Sequence, residues 1–584
     1  MTQRRFTIAL TAGLVLLAAY VATAVWWDDF ALPTGADYEA LHEQLDVDRR
    51  LIRDLAPPLL AGNLAKVLLL APAVLLLGWC AARGRRDVGD GLLGRPSHAP
   101  PLVLICLIVF ALLVFWSQVV FQGQPVYDDE FTYLFQAQCL EAGHLAAPAP
   151  PSPACFENVF IVLRGDVWAG KYTSGHPLLL ALSHQLGWVR LVPFVLAALV
   201  PWLVYLIAVE LGDRRAGLLA AVMLAVSPFF LMVSASLMNH GTGLFFLSVF
   251  TLGYLRAGRT RPWLWGVLAG LALGMAFNIR PQAAVAVGLP FGVWTLWRCR
   301  GEGRRALIAG LAVMLGLLPG LAYAGVYNHA VAGAWHRFAF MLLEGEAPTV
   351  AAFLGTGAHH TLWKGLGYDL LNLWRLNLYL LGFGLSLLPV VLGLVRTPLT
   401  AHDRVWLGAA GVTMVIYAGF PSPGVLELGP RYLFPLLIPL VIWMARGLLT
   451  VRRNLALAWV VLAVVACLVT FTREQARHLH QVTTEVARPY RFVEDADLDQ
   501  AIVLVRAKPP SGWVFGLRNN HPRLADNDVI YTKLRGLGEV LELLDAMPAR
   551  TVHVLAFDPA DPSAEPELVP FTRAQLVELQ KTWR

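Results

Sequence analysis

Long apolar runs constrain this chain more than any other feature. Thirteen stretches are almost free of charge and are bounded by charged residues, Pro or Gly: 6–27, 59–80, 101–121, 189–209, 216–236, 241–257, 263–279, 283–297, 306–327, 377–395, 405–420, 433–449 and 455–471. About 20 helical residues cross a hydrocarbon core, so most of these runs have spanning length or approach it. Composition agrees. Only 15% of the 584 residues are charged and 57% are hydrophobic, whereas a soluble domain carries roughly 25% charged residues. A water-soluble surface of this size could not be covered so sparsely. Soluble, fibrous and disordered chains are excluded, and an all-α polytopic membrane protein of about thirteen transmembrane helices is expected.

Orientation follows from where Arg collects, since short cytoplasmic loops hold the positive charge. Arg83, Arg85, Arg86 and Arg95 share one loop, and Arg214 and Arg215 another. Arg256, Arg259 and Arg261 form a third group, Arg298, Arg300, Arg304 and Arg305 a fourth, and Arg446, Arg452 and Arg453 a fifth. If the runs alternate, all five groups fall on one side, the cytoplasm. The N-terminus is then inside, with an uncleaved anchor at 6–27 despite the weak cleavage-like Ala22-Thr23-Ala24. The loops 28–58, 122–188 and 328–376 and the tail 472–584 lie outside. In a bacterium this is a multi-pass protein of the inner membrane with a periplasmic tail. The formal net charge of +6 reflects this topology. The Arg residues do not cluster as a nucleic-acid surface would, so no nucleic-acid partner is expected.

The chain divides into three parts. Residues 1–100 hold two spans and an external loop, 101–471 a transmembrane core with the large loop 122–188, and 472–584 a small unit of different composition. Apolar runs in that tail shorten to strand length at Ala501–Val505, Val529–Thr532 and Thr551–Ala556, with a helix-period stretch at Gly538–Asp545. This predicts a C-terminal α/β extracytoplasmic domain, a docking or substrate-contacting appendage. Cys139 and Cys155 lie in the loop 122–188, a compartment that permits disulfides. A bridge between them is expected, the alternative being two unpaired buried thiols.

The candidate chemistry also sits in that loop. Asp128-Asp129-Glu130 precede a helical segment from Phe131 to Ala142 that stops at Gly143. Acidic residues cap a helix N-terminus. Three carboxylates this close also raise one another's pKa, which suits a general base or a metal ligand. Downstream come Glu157, Lys171-Tyr172 and His176-Pro177. Lys171 is a point charge suited to a phosphate, whereas His176 and Glu157 are equally compatible with structural roles. Asn239-His240, Asn278-Ile279-Arg280-Pro281 and Gly429-Pro430-Arg431-Tyr432 fall at external span ends. An Arg there can snorkel, but Lys171, Arg280, Arg431 and the acidic triplet converge on one face. Such a site suits a carboxylate that deprotonates a hydroxyl and cations that neutralise a lipid-borne phosphate.

In their order these residues resemble the GT-C superfamily of integral-membrane glycosyltransferases. The nearest likeness is to the bacterial branch related to dolichyl-phosphate-mannose protein mannosyltransferases, lipid A aminoarabinose transferase and lipopolysaccharide-core transferases. The resemblance covers roughly residues 101–450. It rests on Asp128-Asp129-Glu130-Phe131 with Tyr133 and Gln136-Ala137, Lys171-Tyr172, Gly175-His176-Pro177, Ser234–Phe246, Arg280-Pro281, and Gly429-Pro430-Arg431-Tyr432 with Pro435. It implies an inverting transferase with a polyprenyl-phosphate sugar donor. Asp129 is the implied base toward an acceptor hydroxyl, and Lys171, Arg280 and Arg431 hold the lipid phosphate. The acceptor is a glycan, a lipid or a protein. Many relatives carry a second acidic residue where this chain has Asn239-His240, so a shared two-carboxylate or divalent-metal arrangement is in doubt. Glu130, Glu157 and His240 stand as possible ligands without a diagnostic spacing. A polytopic transporter or lipid flippase is the alternative function. It would place charge near the midplane and show two related halves, and neither is visible.

Overall fold

The computed structural model describes residues 99–582 apart from 159, 343–359, 421, 423, 425–426, 508–519, 534–536 and 558–564. The expected spans 6–27 and 59–80 and the loop 28–58 lie outside the described residues.

Apolar sequence becomes helix almost throughout. α1 (Ala99–Phe115) runs into a wider turn, Trp116–Val120. The loop that follows holds α2 (Asp128–Glu141), β1 (Ala147–Pro148), a 3-10 turn Pro153–Phe156, β2 (Ile161–Arg164), β3 (Val167–Gly170) and α3 (Gly175–Gln185). β3 is the centre of a small antiparallel sheet of order β1-β3-β2. Next come α4 (Leu191–Glu210), α5 (Arg214–Ala225), α6 (Pro228–Ala235), α7 (His240–Ala257), α8 (Pro262–Ile279), α9 (Pro281–Glu302) and α10 (Arg304–Ala332). They are followed by α11 (Leu362–Tyr379), α12 (Leu388–Arg396), α13 (Ala401–Ala418), a 3-10 turn Arg431–Leu436 leading into α14 (Leu437–Thr450), α15 (Arg453–Ala466) and α16 (Thr472–Asp495).

This is a membrane protein. Among the described residues, five helical segments are long and apolar enough to cross a bilayer: 101–120, α4, α8, α10 and 431–450. α5 and α6 make a sixth if the pair, bent by 56°, counts as one span. Ser227 and Pro228 cause that bend. The Ser227 hydroxyl accepts from the Phe230 amide and donates to the Leu380 carbonyl, so a helix ends and another begins. α7, α9 and α13 occupy the runs expected at 241–257, 283–297 and 405–420.

Two expected spans differ. The run 377–395 is not one helix. α11 ends at Tyr379, Gly382 takes a left-handed φ of +73°, and α12 starts only at Leu388. The run 455–471 does not stop at Phe471, because a π-type turn at Cys467–Phe471 carries α15 directly into α16.

Small residues set the closest helix contact. Gly266, Gly270 and Gly274 recur every fourth residue on α8 and face Ala312, Gly316 and Gly320 on α10. A Cβ at Gly270 would run into the Val313 carbonyl oxygen, and one at Gly316 into that of Val267. Close backbone approach of this kind drives helix association in lipid, where apolar burial alone does not.

The loop Arg residues meet their partners at one end of the bundle. Glu210 accepts from Arg256 at 2.9 Å and Arg259 at 3.1 Å. Buried Asp403 accepts from Arg446 at 2.9 Å and from the Trp443 indole at 2.8 Å.

After α16 the chain forms β4 (Ala501–Ala507), β5 (Val529–Lys533), α17 (Leu537–Ala546), β6 (Thr551–Phe557), β7 (Glu567–Phe571) and α18 (Arg573–Thr582). The sheet order is β5-β4-β6-β7, with β4 parallel to both neighbours and β7 antiparallel to β6. The hydrophobic pattern anticipates three of the strands and α17 but not β7 or α18. One buried cluster joins this sheet to the loop. Phe135, Cys139, Cys155, Phe156 and Trp168 pack with Ile502, Leu504, Ile530, Val540 and Leu543. The Ser152 hydroxyl also donates to the Glu539 carbonyl at 2.8 Å.

The expected disulfide is not formed. Cys139 and Cys155 are buried free thiols in that shared cluster. Cys155 lies 3.7 Å from the Ser152 hydroxyl, and Cys139 bonds to the Ala147 backbone. The two sulfurs are thus taken by different partners, and apolar packing from the tail covers them both.

Candidate active site

α2 starts with the three carboxylates, which diverge at once. They occupy successive positions of a helical turn, so their side chains point about 100° apart. Asp129 turns into the protein and is 8% exposed. Tyr172 donates its hydroxyl to Asp129 Oδ1 at 2.6 Å, and Arg431 Nη1 stands 3.5 Å from Oδ2. Burial alone would raise this carboxyl's pKa. The Arg431 charge, the Tyr172 hydrogen bond, Lys171 and Arg280 outweigh it and hold Asp129 below the ordinary carboxylate range. Burial pushes the Tyr172 hydroxyl well up, with the Asp129 charge beside it, so it stays a donor.

Asp128 is half-buried and behaves oppositely. Burial, reinforced by the Asp129 charge, pushes it up to about 7, with Lys533 and Lys171 acting against the rise. Glu130 is 1% exposed, and burial raises its pKa too. Its oxygens are already committed: Oε2 accepts from the Val126 amide at 2.7 Å and Oε1 from the Leu237 amide at 2.9 Å. It ties the start of α2 to the turn before α7.

Arg280 and Arg431 come together from distant sequence. Tyr417 and Tyr432 stack at 4.2 Å and 3°. Arg280 lies over both rings, at 5.8 and 5.4 Å, and Arg431 lies 5.8 Å from the Tyr432 ring. Arg280 also donates to Tyr417 Oη at 3.1 Å and reaches Asn239 Oδ1 at 3.4 Å. Its position follows from the α8–α10 contact. Asn278 donates to the Gly274 and Gly320 carbonyls, and Asn239 donates to that of Ile279. Lys171 is held differently, with its ammonium 3.6 Å over the Phe160 ring and 5.2 Å from that of Tyr172.

The remaining candidates separate. His176 is 1% exposed and its ring nitrogens lie 3.1 Å from Thr242 Oγ1 and 2.9 Å from the Leu237 carbonyl. Burial lowers it to about 4, so it is neutral near pH 7 and serves as a tie between α3 and the start of α7. Glu157 is exposed at the end of the 3-10 turn Pro153–Phe156. His240 begins α7, buried with its ring edge-on to Phe434 at 5.9 Å.

Comparison with known proteins bears on the fold and the family. Residues 176–323 match the model of the family described as dolichyl-phosphate-mannose-protein mannosyltransferase. The fold is similar to that in the crystal structure of ArnT from Cupriavidus metallidurans bound to undecaprenyl phosphate. The TM-score is 0.52 at 13% identity, over 79% of this chain and 93% of that one. The apo oligosaccharyltransferase of Archaeoglobus fulgidus gives a looser likeness that carries no argument, with TM-score 0.42 at 12% identity, over 78% of this chain and 69% of that one. No curated protein matches the chain by sequence. Family match and shared fold agree. Over residues 176–323 and in its fold, the chain is similar to GT-C-type glycosyltransferases.

Among the described residues, no group of three or more His, Cys, Asp or Glu side chains is arranged to hold a metal ion. Glu130 spends both oxygens on amides and Glu157 is exposed, so the possible ligands do not converge. The helical core also contains residues beside the candidate site that sequence reasoning passed over. Arg190 is 2% exposed and donates to the Gly123 and Gln124 carbonyls, both at 3.1 Å, and to that of Ala235 at 3.4 Å. It braces the same junction as Glu130. Tyr417 supplies half of the aromatic stack. A cation at the start of α4 reads as topology, and an apolar-run Tyr reads as core, so neither carried a signal.

Proposed function

We propose that this glycosyltransferase moves a sugar from a polyprenyl-phosphate donor to an acceptor hydroxyl at the external membrane face, with inversion at the anomeric carbon. Arg280 and Arg431 hold the donor phosphate and stabilise the charge that grows on it as the glycosidic bond breaks. Asp129 receives the acceptor proton. A carboxylate kept ionised by Arg431 and Tyr172 is a weak base, which suits a hydroxyl whose acidity rises only as it bonds to the anomeric carbon. Lys171 completes the cationic surround on the α2 side. The ArnT structure contains undecaprenyl phosphate, which supports a lipid phosphate of that class here.

One observation carries this reading: a buried carboxylate paired directly with a buried guanidinium, and a second guanidinium beside it, where the expected external ends of the spans meet the loop. The test compares donors on the full chain in nanodiscs. A sugar linked to a polyprenyl phosphate should be transferred and the same sugar linked to a nucleotide should not. Arg280→Ala and Arg431→Ala should raise the KM for the lipid donor at least about tenfold, with acceptor KM little changed. Equal loss for donor and acceptor would make both Arg residues structural.

A further inference from the structure

α7 meets the site with its N-terminus, where the first amides lack intrahelical acceptors and the helix dipole is positive. The first residue is His240, 3% exposed. Among the described residues neither Nδ1 nor Nε2 of His240 has a hydrogen-bond partner. Two neighbours share that condition, Arg431 Nε and Ser234 Oγ. A Cβ on Gly241 would stand 3.1 Å from Ser234 Oγ, which puts the hydroxyl against the first turn of α7. Arg280 reaches Asn239 and Arg431 reaches Met238 Sδ at 3.5 Å, and both guanidiniums act electrostatically on the His240 ring.

Buried polar atoms are almost always paired, and each unpaired one demands an explanation. Three unpaired groups beside one helix N-terminus, one of them a guanidinium with Arg280 as a second cation, share a single explanation. Their N–H and O–H groups form a donor set of positive potential, which matches a tetrahedral oxyanion. We propose that the His240 imidazole is a direct ligand of the donor phosphate, donating its N–H to a phosphate oxygen together with Ser234 Oγ and Arg431 Nε. The inference rests on the lipid-phosphate reading above and deepens it. It fixes an orientation: Arg431 turns Nη1 to Asp129 and Nε to the phosphate, so base and leaving group lie on opposite sides of one guanidinium.

The probe is farnesyl phosphate, titrated calorimetrically into the full chain in nanodiscs. His240→Phe should weaken binding by about tenfold or more, the loss of one charge-assisted hydrogen bond. Either His240→Asn or His240→Gln, which restore an N–H donor at the Nδ1 or Nε2 position, should recover most of it. Parental affinity in His240→Phe, with binding abolished by Arg280→Ala, would overturn the His240 assignment and leave the phosphate reading standing. Equal loss in all three His240 variants would mark a packing role and overturn it as well. No binding by the parent chain would overturn both. If His240→Phe fails to fold, the parent labelled with 15N-histidine decides. The His240 ring resonances, assigned by their absence in His240→Gln, should shift on adding farnesyl phosphate, and unmoved resonances would overturn the assignment.

Discussion

Asp128 and Asp129 are adjacent in the chain and opposed in electrostatics. Asp129 is held ionised by Arg431 and Tyr172, whereas burial beside that charge pushes Asp128 up to about 7. The sign for pH dependence follows. Asp129 does not change charge between about pH 5 and pH 9, and Asp128 gains a negative charge as pH rises through about 7. If that charge helps the proposed transfer, kcat/KM should rise through neutrality in the parent and become flat there in Asp128→Asn. An unchanged inflection in the variant would remove Asp128 as its source. Tyr172→Phe takes the 2.6 Å donor from Asp129 and should lower kcat about tenfold or more with donor KM nearly constant. Glu130→Gln should act elsewhere. It sets an amide N–H against a backbone N–H at Val126 or Leu237, and should cost about 1–3 kcal/mol of stability, read as a lowered Tm. Lost transfer at unchanged Tm would contradict a bracing role. The acidic triplet was legible as a candidate site in sequence, but the divergence of its three carboxylates was not, because a helical turn sends neighbouring side chains to different partners.

At the scale of elements, the Gly ladder of α8 against α10 places Arg280. The two helices approach until backbone meets backbone at Gly270 and Gly316, and Asn278 then locks the end of α8 to the Gly320 carbonyl. Gly270→Val should overpack this contact by about 1–3 kcal/mol and raise the donor KM through displacement of Arg280. A variant with parental Tm and KM would show that the contact does not position the cation. Helices such as α4, α8 and α10 were readable because an apolar run of spanning length leaves the backbone no other way to pair its polar groups in lipid. The interruption at 380–387 was not, since it combines one positive φ at Gly382 with a long-range contact, Ser227 at the bend between α5 and α6 donating to the Leu380 carbonyl. The continuation of α15 into α16 was hidden for the reverse reason, because polarity rises after Phe471 while the backbone stays helical.

Across the whole molecule, the C-terminal sheet and the loop bearing the carboxylates form one packed body. Phe135 lies on the same helix as Asp129, and it shares a core with Ile502, Leu504 and Leu543. Lys533, at the end of β5, acts on Asp128. Removing residues 497–584 should therefore expose that core, open 140–170 to limited proteolysis and abolish transfer, whereas an independent appendage would leave both unchanged. The tail's strands were legible from their run lengths, but its union with the loop was not, because long-range packing leaves no periodic trace in either segment. The unpaired Cys139 and Cys155 belong to the same lesson: cover by the tail, rather than a covalent bridge, encloses the loop. The account rests finally on Asp129 as the group that takes the acceptor proton. The most direct measurement is kcat for sugar transfer from a polyprenyl-phosphate donor in nanodiscs, parent against Asp129→Asn, with folding checked by Tm. A fall of about a hundredfold or more at similar Tm is expected. Undiminished transfer by Asp129→Asn would contradict the account.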